Sequence, residues 1–111
     1  PQIKVARNSD SYSPADIAGL KKLATDNPNI TQLQEFVESK GWERENWNSY
    51  QDVIRTDWNT DEVGRLTHLA IELDWNSKDT ISQLDLSAFT ELKYREAGRI
   101  EKYETGALAY I

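Results

Sequence analysis

The sequence contains no cysteine and no methionine, and its 111 residues include only 3 prolines, 5 glycines and one histidine. Without cysteine the chain has no disulfide bond and no thiolate chemistry. A single histidine leaves too few nitrogen and sulfur ligands for a zinc site. The scattered glycines form no phosphate-binding loop, and no serine-nucleophile elbow occurs. We therefore expect a chain without enzymatic activity and without a cofactor.

Positive charge is also scarce. The chain has 13 Lys and Arg against 19 Asp and Glu, which gives a net charge of −6 and a pI of about 4.7. Nucleic-acid binding requires a stripe of Lys and Arg, and docking on an anionic membrane requires basic residues as well. No apolar run approaches the roughly 18 residues of a membrane-spanning helix. We expect neither a nucleic-acid partner nor insertion into a membrane.

Apolar and aromatic residues are present in sufficient number for a folded core. Hydrophobic residues make up 38% of the chain, with 4 Trp, 5 Tyr and 2 Phe, and the length suits one domain. We predict a single domain over residues 1–111, helical and Trp-rich over 1–60 and strand-rich and repeat-like over 61–111. The sequence begins with Pro and not Met, so any signal peptide is expected to have been removed or to lie outside it.

Two helices are predicted near the start of the chain. The first is expected to have Ser13 as its cap, Pro14 at its first position and Asp16 in its first turn, and to end at 26–29. Its apolar residues recur at helical spacing: Ile17, Leu20, Leu23 and Ala24. In the second helix, Thr31 and Gln34 are expected to form a capping box, and Gly41 to be the C-cap glycine. The next residue, Trp42, is predicted to pack back on this helical hairpin.

The spacing of the apolar residues changes after the second helix. A short helix is possible through Tyr50, Val53 and Ile54, and strands are predicted over 66–71, 81–86 and 92–94. The tail, 100–111, reads as a closing hairpin around Thr105-Gly106, with 107–111 as an edge that could pair with another chain. Helices first and strands after predict an α+β fold, with an N-terminal helical hairpin packed on a small β-sheet or on a nascent repeat array.

A weak internal repeat supports the nascent repeat array. Asp57-Trp58-Asn59-Thr60 precedes the run 66–71, and Asp74-Trp75-Asn76-Ser77 precedes the run 81–86. About 26 residues separate Leu66 from Leu92, which lies within the period of leucine-rich repeats. The runs 63–71 and 84–92 resemble the beginning of a bacterial extracellular leucine-rich repeat protein. The first helix and the Trp-rich segment are similar to the N-terminal cap that shields the first repeat of such proteins.

This resemblance implies a protein-interaction module of leucine-rich repeat type and favours an extracellular or cell-surface location. The sequence departs from the family pattern in three ways. Arg95 stands where a strand leucine is expected, Asp74 replaces the usual asparagine, and repeat proteins need about three units to bury a continuous core. The chain is therefore either a capped piece of a longer array or a small α+β fold with a similar pattern.

The most site-like motif is Asp57, Asn59 and Asp61, which resembles the start of a calcium loop. Such a loop requires Gly at its sixth position and Glu at its twelfth, where this sequence has Glu62 and His68. Solvated turn residues are therefore the preferred interpretation, and we assign no metal site. His68 is not expected to act as a base, because a strand would place Thr67 on the opposite face.

Three functions remain open. In a protein-interaction module of the repeat type, the exposed strand residues would contact a protein partner: Thr67, His68, Ala70, Gln83, Asp85, Lys93 and Arg95. A carbohydrate-binding module would instead stack glycans on exposed Trp47, Trp58 or Trp75 together with Tyr50. A small acidic inhibitor or immunity-type protein would mask a basic partner, and its charge would speed association at low salt. The recurrence of Trp58 and Trp75 favours the core for these two, and Trp47 is expected to be the most exposed.

Overall fold

The computed structural model describes residues 11–44, 46–49, 51–73, 80–97 and 103–104. The fold is α+β, as predicted. Two helices come first, a 3-10 turn at Gly41–Glu43 follows, and the remaining elements are strands. The helices and strands are α1 (Pro14–Asp26), α2 (Thr31–Glu38), β1 (Ile54–Trp58), β2 (Leu66–Ile71), β3 (Leu84–Asp85), β4 (Tyr94–Ala97) and β5 (Tyr103–Glu104).

Helix α1 begins as predicted, with Pro14 at its first position, but its first turn is stabilised differently. The Ser13 side chain makes no capping hydrogen bond, and the Ser13 N–H donates to the Gly64 carbonyl. Asp16 is fully buried. One of its oxygens accepts hydrogen bonds from Arg65 Nε at 2.8 Å and from the Leu66 N–H at 3.1 Å. The first turn of α1 is thereby tied to the start of β2.

The predicted capping box of α2 is wrong. The N-cap is Ile30, and no side chain caps the helix. The Gln34 amide instead donates to the carbonyls of Ala24 and Asn27, at 2.7 and 3.1 Å. These two carbonyl groups lie where α1 ends, and they also accept from the N–H groups of Asn27 and Ile30, at 3.3 and 3.1 Å. The side chain joins two helices and does not begin one.

The end of α2 also differs from the prediction. The left-handed residue is Lys40, with φ of 53°, and not Gly41. Gly41 is required for space, because a Cβ there would lie 2.4 Å from the Phe36 ring. This close approach lets the chain turn back so that Trp42 packs on α2, as predicted. The Phe36 and Trp42 rings are 6.3 Å apart between centroids.

The short helix proposed near Ile54 is wrong, because Ile54 begins β1. This strand pairs antiparallel with β2, with Ile54 opposite Ile71 and a register shift between Asp57 and Trp58. It therefore lies in the part of the sequence, 1–60, assigned to helix. Tyr50 itself lies outside the described residues.

The strand predicted over 66–71 is present as β2, β4 begins only at Tyr94, the last residue of the predicted run 92–94, and the run 81–86 contributes only the short β3. In the described chain, β1, β2 and β4 form one sheet in that order, and β3 and β5 form a second. Strands β2 and β4 are parallel, with His68 paired to Tyr94, 26 positions further along the chain. The two segments aligned in the sequence therefore contribute to different sheets. Of the predicted tail hairpin only β5 is described, and it pairs parallel with β3; residues 105–111 lie outside the described part.

The core lies between the helices and the strands. Leu20 and Leu23 of α1, Leu33 of α2 and Leu69 of β2 are almost fully buried. Gly19 lets α1 pack against the loop after β3, since a Cβ there would lie 2.7 Å from the Phe89 ring. The same core includes Tyr12, Ile30, Phe36, Trp42, Ile54, Trp58, Leu66, Ile71, Ile81, Leu84, Leu86, Phe89 and Leu92.

Candidate interaction surface

One row of side chains crosses the three-stranded sheet. Asp57 of β1 is paired with His68 of β2, and His68 is paired with Tyr94 of β4. Residues directly opposite one another on neighbouring strands point to the same face. Asp57 and His68 are partly exposed, and Tyr94 is 43% exposed. The register thus places a carboxylate, an imidazole and a phenol side by side.

Trp47 packs against this row. Its ring lies 5.0 Å from the His68 ring and 5.5 Å from the Tyr94 ring, measured between centroids. The Trp47 and Tyr94 planes meet at 85°, so the contact is edge to face, a favourable arrangement for aromatic rings. We call Trp47, Asp57, His68 and Tyr94 the aromatic surface.

The position of Trp47 is set by its neighbour Asn46. The buried Asn46 side chain donates to the Ile54 carbonyl at 2.9 Å and to an Asp52 carboxylate oxygen at 3.0 Å, and it accepts from the Thr56 N–H at 3.1 Å. Two of these three bonds go to the main chain of β1. The segment 46–49 is thereby attached to β1, and the Trp47 ring reaches the sheet from outside.

Arg55 lies behind Trp47 and carries a buried positive charge. Its side chain is 2% exposed and pairs with Glu72, which is at the surface. Its Nη1 donates to the Trp47 carbonyl at 3.3 Å, and its guanidinium carbon lies 5.4 Å from the Trp47 ring centroid, within the range of a cation–π contact. This cation is therefore already engaged and is covered from solvent.

His68 is hydrogen-bonded to its neighbour in sequence, contrary to prediction. Its Nδ1 lies 2.8 Å from Thr67 Oγ1 and 4.0 Å from Asp57 Oδ2. The expectation that Thr67 would face away is wrong, because its hydroxyl turns toward the imidazole and the Asp57 carbonyl. Hydroxyl and carboxylate approach the same ring nitrogen, whereas a catalytic triad uses both nitrogens of its histidine. These three residues do not have the geometry of a triad.

The structure brings together two of the residues selected from the sequence, Trp47 and His68. Trp58 is excluded as a binding residue, because it is 3% exposed and its ring packs 4.7 Å from that of Tyr12. Thr67 and Ala70 are likewise buried and not exposed as predicted. The other selected positions are Gln83 just before β3, Asp85 on β3, the exposed Lys93 just before β4, Arg95 on β4, whose side chain is outside the description, and Tyr50 and Trp75, which lie wholly outside it.

Asp85 belongs to the second sheet, whereas the aromatic surface crosses the first, and Gln83 precedes β3. The Asp85 carboxylate accepts from the Ser87 hydroxyl and N–H at 2.6 and 2.9 Å, and lies 3.1 Å from Lys22 Nζ. The bond from the Ser87 hydroxyl is the main cause that lowers the pKa of Asp85, and Lys22 adds to it. Asp85 therefore stabilises the turn after β3.

The calcium-like motif is a set of turn contacts. Asn59 Oδ1 accepts from the N–H groups of Asp61 and Arg65, and Asn59 Nδ2 donates to Asp61 Oδ2 at 3.1 Å. Asp57 Oδ2 instead lies 4.0 Å from His68 Nδ1. Over the ranges that the structure describes, no three His, Asp or Glu side chains are grouped as a metal site would require.

Sequence reasoning missed Tyr94, Arg55 and the role of Asn46. The signal for Tyr94 was present, because the 26-residue spacing of Leu66 and Leu92 also places residue 94 beside residue 68. Arg55 and Asn46 gave no signal, since their roles depend on contacts with other strands.

A concave region away from the aromatic surface is lined by residues between α2 and β1, among them Phe36, Val53 and Ile54. Polar side chains at its rim bind each other: Arg44 pairs with Asp52, which also accepts from Asn46. Neither helix of the described chain is long and apolar enough to cross a bilayer.

Comparisons of the chain with protein families, with curated proteins and with solved structures found no match.

Proposed function

We propose that the chain is a non-catalytic protein-interaction module of leucine-rich repeat type that needs no cofactor, and that its aromatic surface contacts the partner protein. The observation that carries this proposal is the parallel pairing of β2 with β4 at a shift of 26 residues. A shift of this size matches the length of one leucine-rich repeat.

The order of the strands supports the same interpretation. The chain passes through β2, β3, β4 and β5, and the parallel pairs are β2 with β4 and β3 with β5. Successive strands thus alternate between two sheets, as they do when each coil of a solenoid contributes one strand to each side. Buried leucines on both sides, such as Leu69 and Leu84, fill the space between.

The helices and β1 correspond to a cap. β1 pairs antiparallel with the edge of β2 that β4 does not use. An uncovered strand edge is prone to pair with other chains, and covering it prevents this. On the outer face of the capped sheet the side chains of Asp57, His68 and Tyr94 remain accessible, which supports this face as the binding surface.

A glycan is the second candidate ligand, because three rings lie within 6.2 Å of one another. The burial of Trp58 removes one of the tryptophans on which this alternative depended. The 85° angle between the Trp47 and Tyr94 rings also leaves no flat platform of two coplanar rings. The geometry therefore favours a protein partner.

Photo-crosslinking tests this proposal with a matched control. A benzophenone amino acid is placed at Tyr94, which is 43% exposed, and separately at Val63, which is 47% exposed in the loop between β1 and β2. We expect a discrete crosslinked protein from source-organism lysate and secretions with the Tyr94 probe and not with the Val63 probe. Equal products at both positions, or none at Tyr94 alongside a glycan-array signal that Trp47→Ala abolishes, would contradict the proposal.

A further inference from the structure

We propose that the outer edge of β1 is a latent pairing site for a second copy of this chain, and that the Asn46 side chain occupies the site and prevents association through it. This inference concerns the edge of the sheet and goes beyond the proposed function, which concerns its face. It rests on the hydrogen bonds of the Asn46 amide and on the register of β1.

Alternate residues of β1 direct their main-chain groups away from β2. The Val53 carbonyl accepts from the Glu72 N–H at 2.9 Å, so position 53 is bonded to the neighbouring strand. Every second residue of an antiparallel strand bonds to the same neighbour, and the residues between them face the other way. The outer edge of β1 therefore presents the Ile54 carbonyl and the Thr56 N–H.

The Asn46 amide binds both of these groups. Its Nδ2 donates to the Ile54 carbonyl at 2.9 Å, and its Oδ1 accepts from the Thr56 N–H at 3.1 Å. In a parallel pair of strands, the N–H and the carbonyl of one residue bond to the residues on either side of its counterpart. Asn46 reproduces this pattern opposite Arg55. One side chain thus takes the place of one residue of an added strand.

Two further features oppose pairing at the same edge. The N–H of Trp58, two residues beyond Thr56, donates to the Asp57 side chain, with Oδ1 at 2.9 Å. The register shift between Asp57 and Trp58 interrupts the regular strand. Irregularities of this kind are among the features by which proteins prevent strand edges from pairing with other chains. Asn46, the Asp57 side chain and the register shift therefore act on one edge.

A second copy of the chain is the occupant that fits this edge. A strand edge turned about a twofold axis is complementary to itself, because each outward N–H then meets an outward carbonyl of the other copy. With the axis at Thr56, its N–H would donate to the Thr56 carbonyl of the second copy and its carbonyl would accept in return. Such pairing uses main-chain groups alone. In the wild type it requires that both Asn46 bonds to β1 first break in each copy.

The test compares the sedimentation mass of Asn46→Ala with that of the wild type. Without the amide the edge is open in each copy, and self-association should tighten about tenfold. At a concentration where the wild type remains at 12.8 kDa, we expect the mass of Asn46→Ala to rise toward twice that value. Asn46→Ser should associate in the same way, since its hydroxyl is too short to bind both groups.

Asn27→Ala is the matched control for a loss of stability. It also removes a buried amide with three hydrogen bonds, but these go to Leu23 and Gln83 and not to β1. We expect this variant to stay at 12.8 kDa. Asn46→Asp should stay there too, because it retains an acceptor for the Thr56 N–H and places a charge on the edge. Circular dichroism verifies the fold of each variant.

Hydrogen exchange of the Thr56 N–H, followed by NMR, locates the association. In Asn46→Ala this exchange should slow as the protein concentration rises, because the second copy protects the group, and in the wild type it should not change. Wild-type association as tight as that of Asn46→Ala, or equal association of Asn27→Ala, would overturn the inference. Thr56 exchange in Asn46→Ala that is independent of concentration would overturn it as well, since no second copy would then cover the edge.

Discussion

The side-chain amide of Asn27 pairs with the main chain of Gln83, 56 positions away. Asn27 Nδ2 donates to the Gln83 carbonyl at 2.8 Å, and Asn27 Oδ1 accepts from the Gln83 N–H at 3.2 Å. The same Nδ2 donates to the Leu23 carbonyl at 2.8 Å, and the residue is fully buried. One amide therefore joins the end of α1 to the start of β3.

Asn27→Ala should destabilise the protein by about 2–4 kcal/mol, because three backbone groups, one buried and two partly buried, would lose this partner. The free energy of unfolding from urea titrations measures this loss. Asn29→Ala is the matched control, since that exposed amide makes one bond, to the Thr80 carbonyl at 3.1 Å. A loss for Asn27→Ala no larger than that for Asn29→Ala would show that the amide does not join the two elements.

Gly19→Ala should destabilise the protein by about 1–3 kcal/mol, although alanine is the better helix former. The new Cβ would lie 2.7 Å from the ring of Phe89, which is fully buried. Thermal unfolding of this variant and of Gly19→Ala/Phe89→Leu checks the cause. The smaller side chain at position 89 should recover part of the loss, and a stabilised Gly19→Ala would disprove the contact.

Lys40→Gly should stabilise the protein by about 0.5–1 kcal/mol, because glycine adopts the positive φ of 53° without steric cost. The adjacent Gly41→Ala should destabilise it by about 1–3 kcal/mol through contact with the Phe36 ring. Urea unfolding of both variants distinguishes the two positions. If glycine were required at 41 for its conformation, Phe36→Leu would not reduce the penalty of Gly41→Ala, whereas we expect that it does.

Ser87→Ala should lower the free energy of unfolding at pH 7 by about 1 kcal/mol, through loss of its hydroxyl bond to Asp85. The folded state lowers the pKa of Asp85 below its ordinary value of 3.8. Stabilisation by the ionised carboxylate is therefore complete above the unfolded pKa and disappears as the pH falls through the folded pKa. The difference between wild type and Ser87→Ala should shrink toward zero near pH 2 (roughly two units below the ordinary value).

Unfolding at both pH values, by urea and circular dichroism, measures this effect. Ser82→Ala provides the control, since Ser82 is an exposed serine in the same segment, and it should change stability at neither pH. A loss for Ser87→Ala that is equal at both pH values would mean that the hydroxyl acts independently of the Asp85 charge.

The two helices and β2 were predictable because their signals are local. Pro14 and the apolar periodicity determine α1, and the alternation of Leu69 and Ile71 with His68 indicates β2. β1 was not predictable, since Ile54 lies among polar residues and becomes a strand through its pairing with β2. Strand preference depends strongly on such partners. The left-handed conformation of Lys40 was not predicted, because the residue that adopts it at the end of a helix is usually glycine and Gly41 is the next residue.

The candidate surface was predictable only in part. Trp47 and His68 were selected by residue type, and the structure places their rings 5.0 Å apart. Their neighbours Asp57 and Tyr94 depend on strand register, and a slip of one residue would turn each of them to the opposite face. Periodicity within a strand does not determine register between strands. The repeat spacing from Leu66 to Leu92 was the one long-range signal in the sequence.

Under the proposed function, the attachment of residues 46–49 to β1 separates the scaffold from the side chain that would contact the partner. Asn46 supplies the bonds to Ile54 and Thr56, and the Trp47 ring packs against Tyr94 on the aromatic surface. Neither Trp47 nor the exposed Tyr94 side chain is needed for the pairing of β1 with β2. Diversifying positions 47 and 94 while Asn46 is retained should therefore yield binders of altered preference on one unchanged framework.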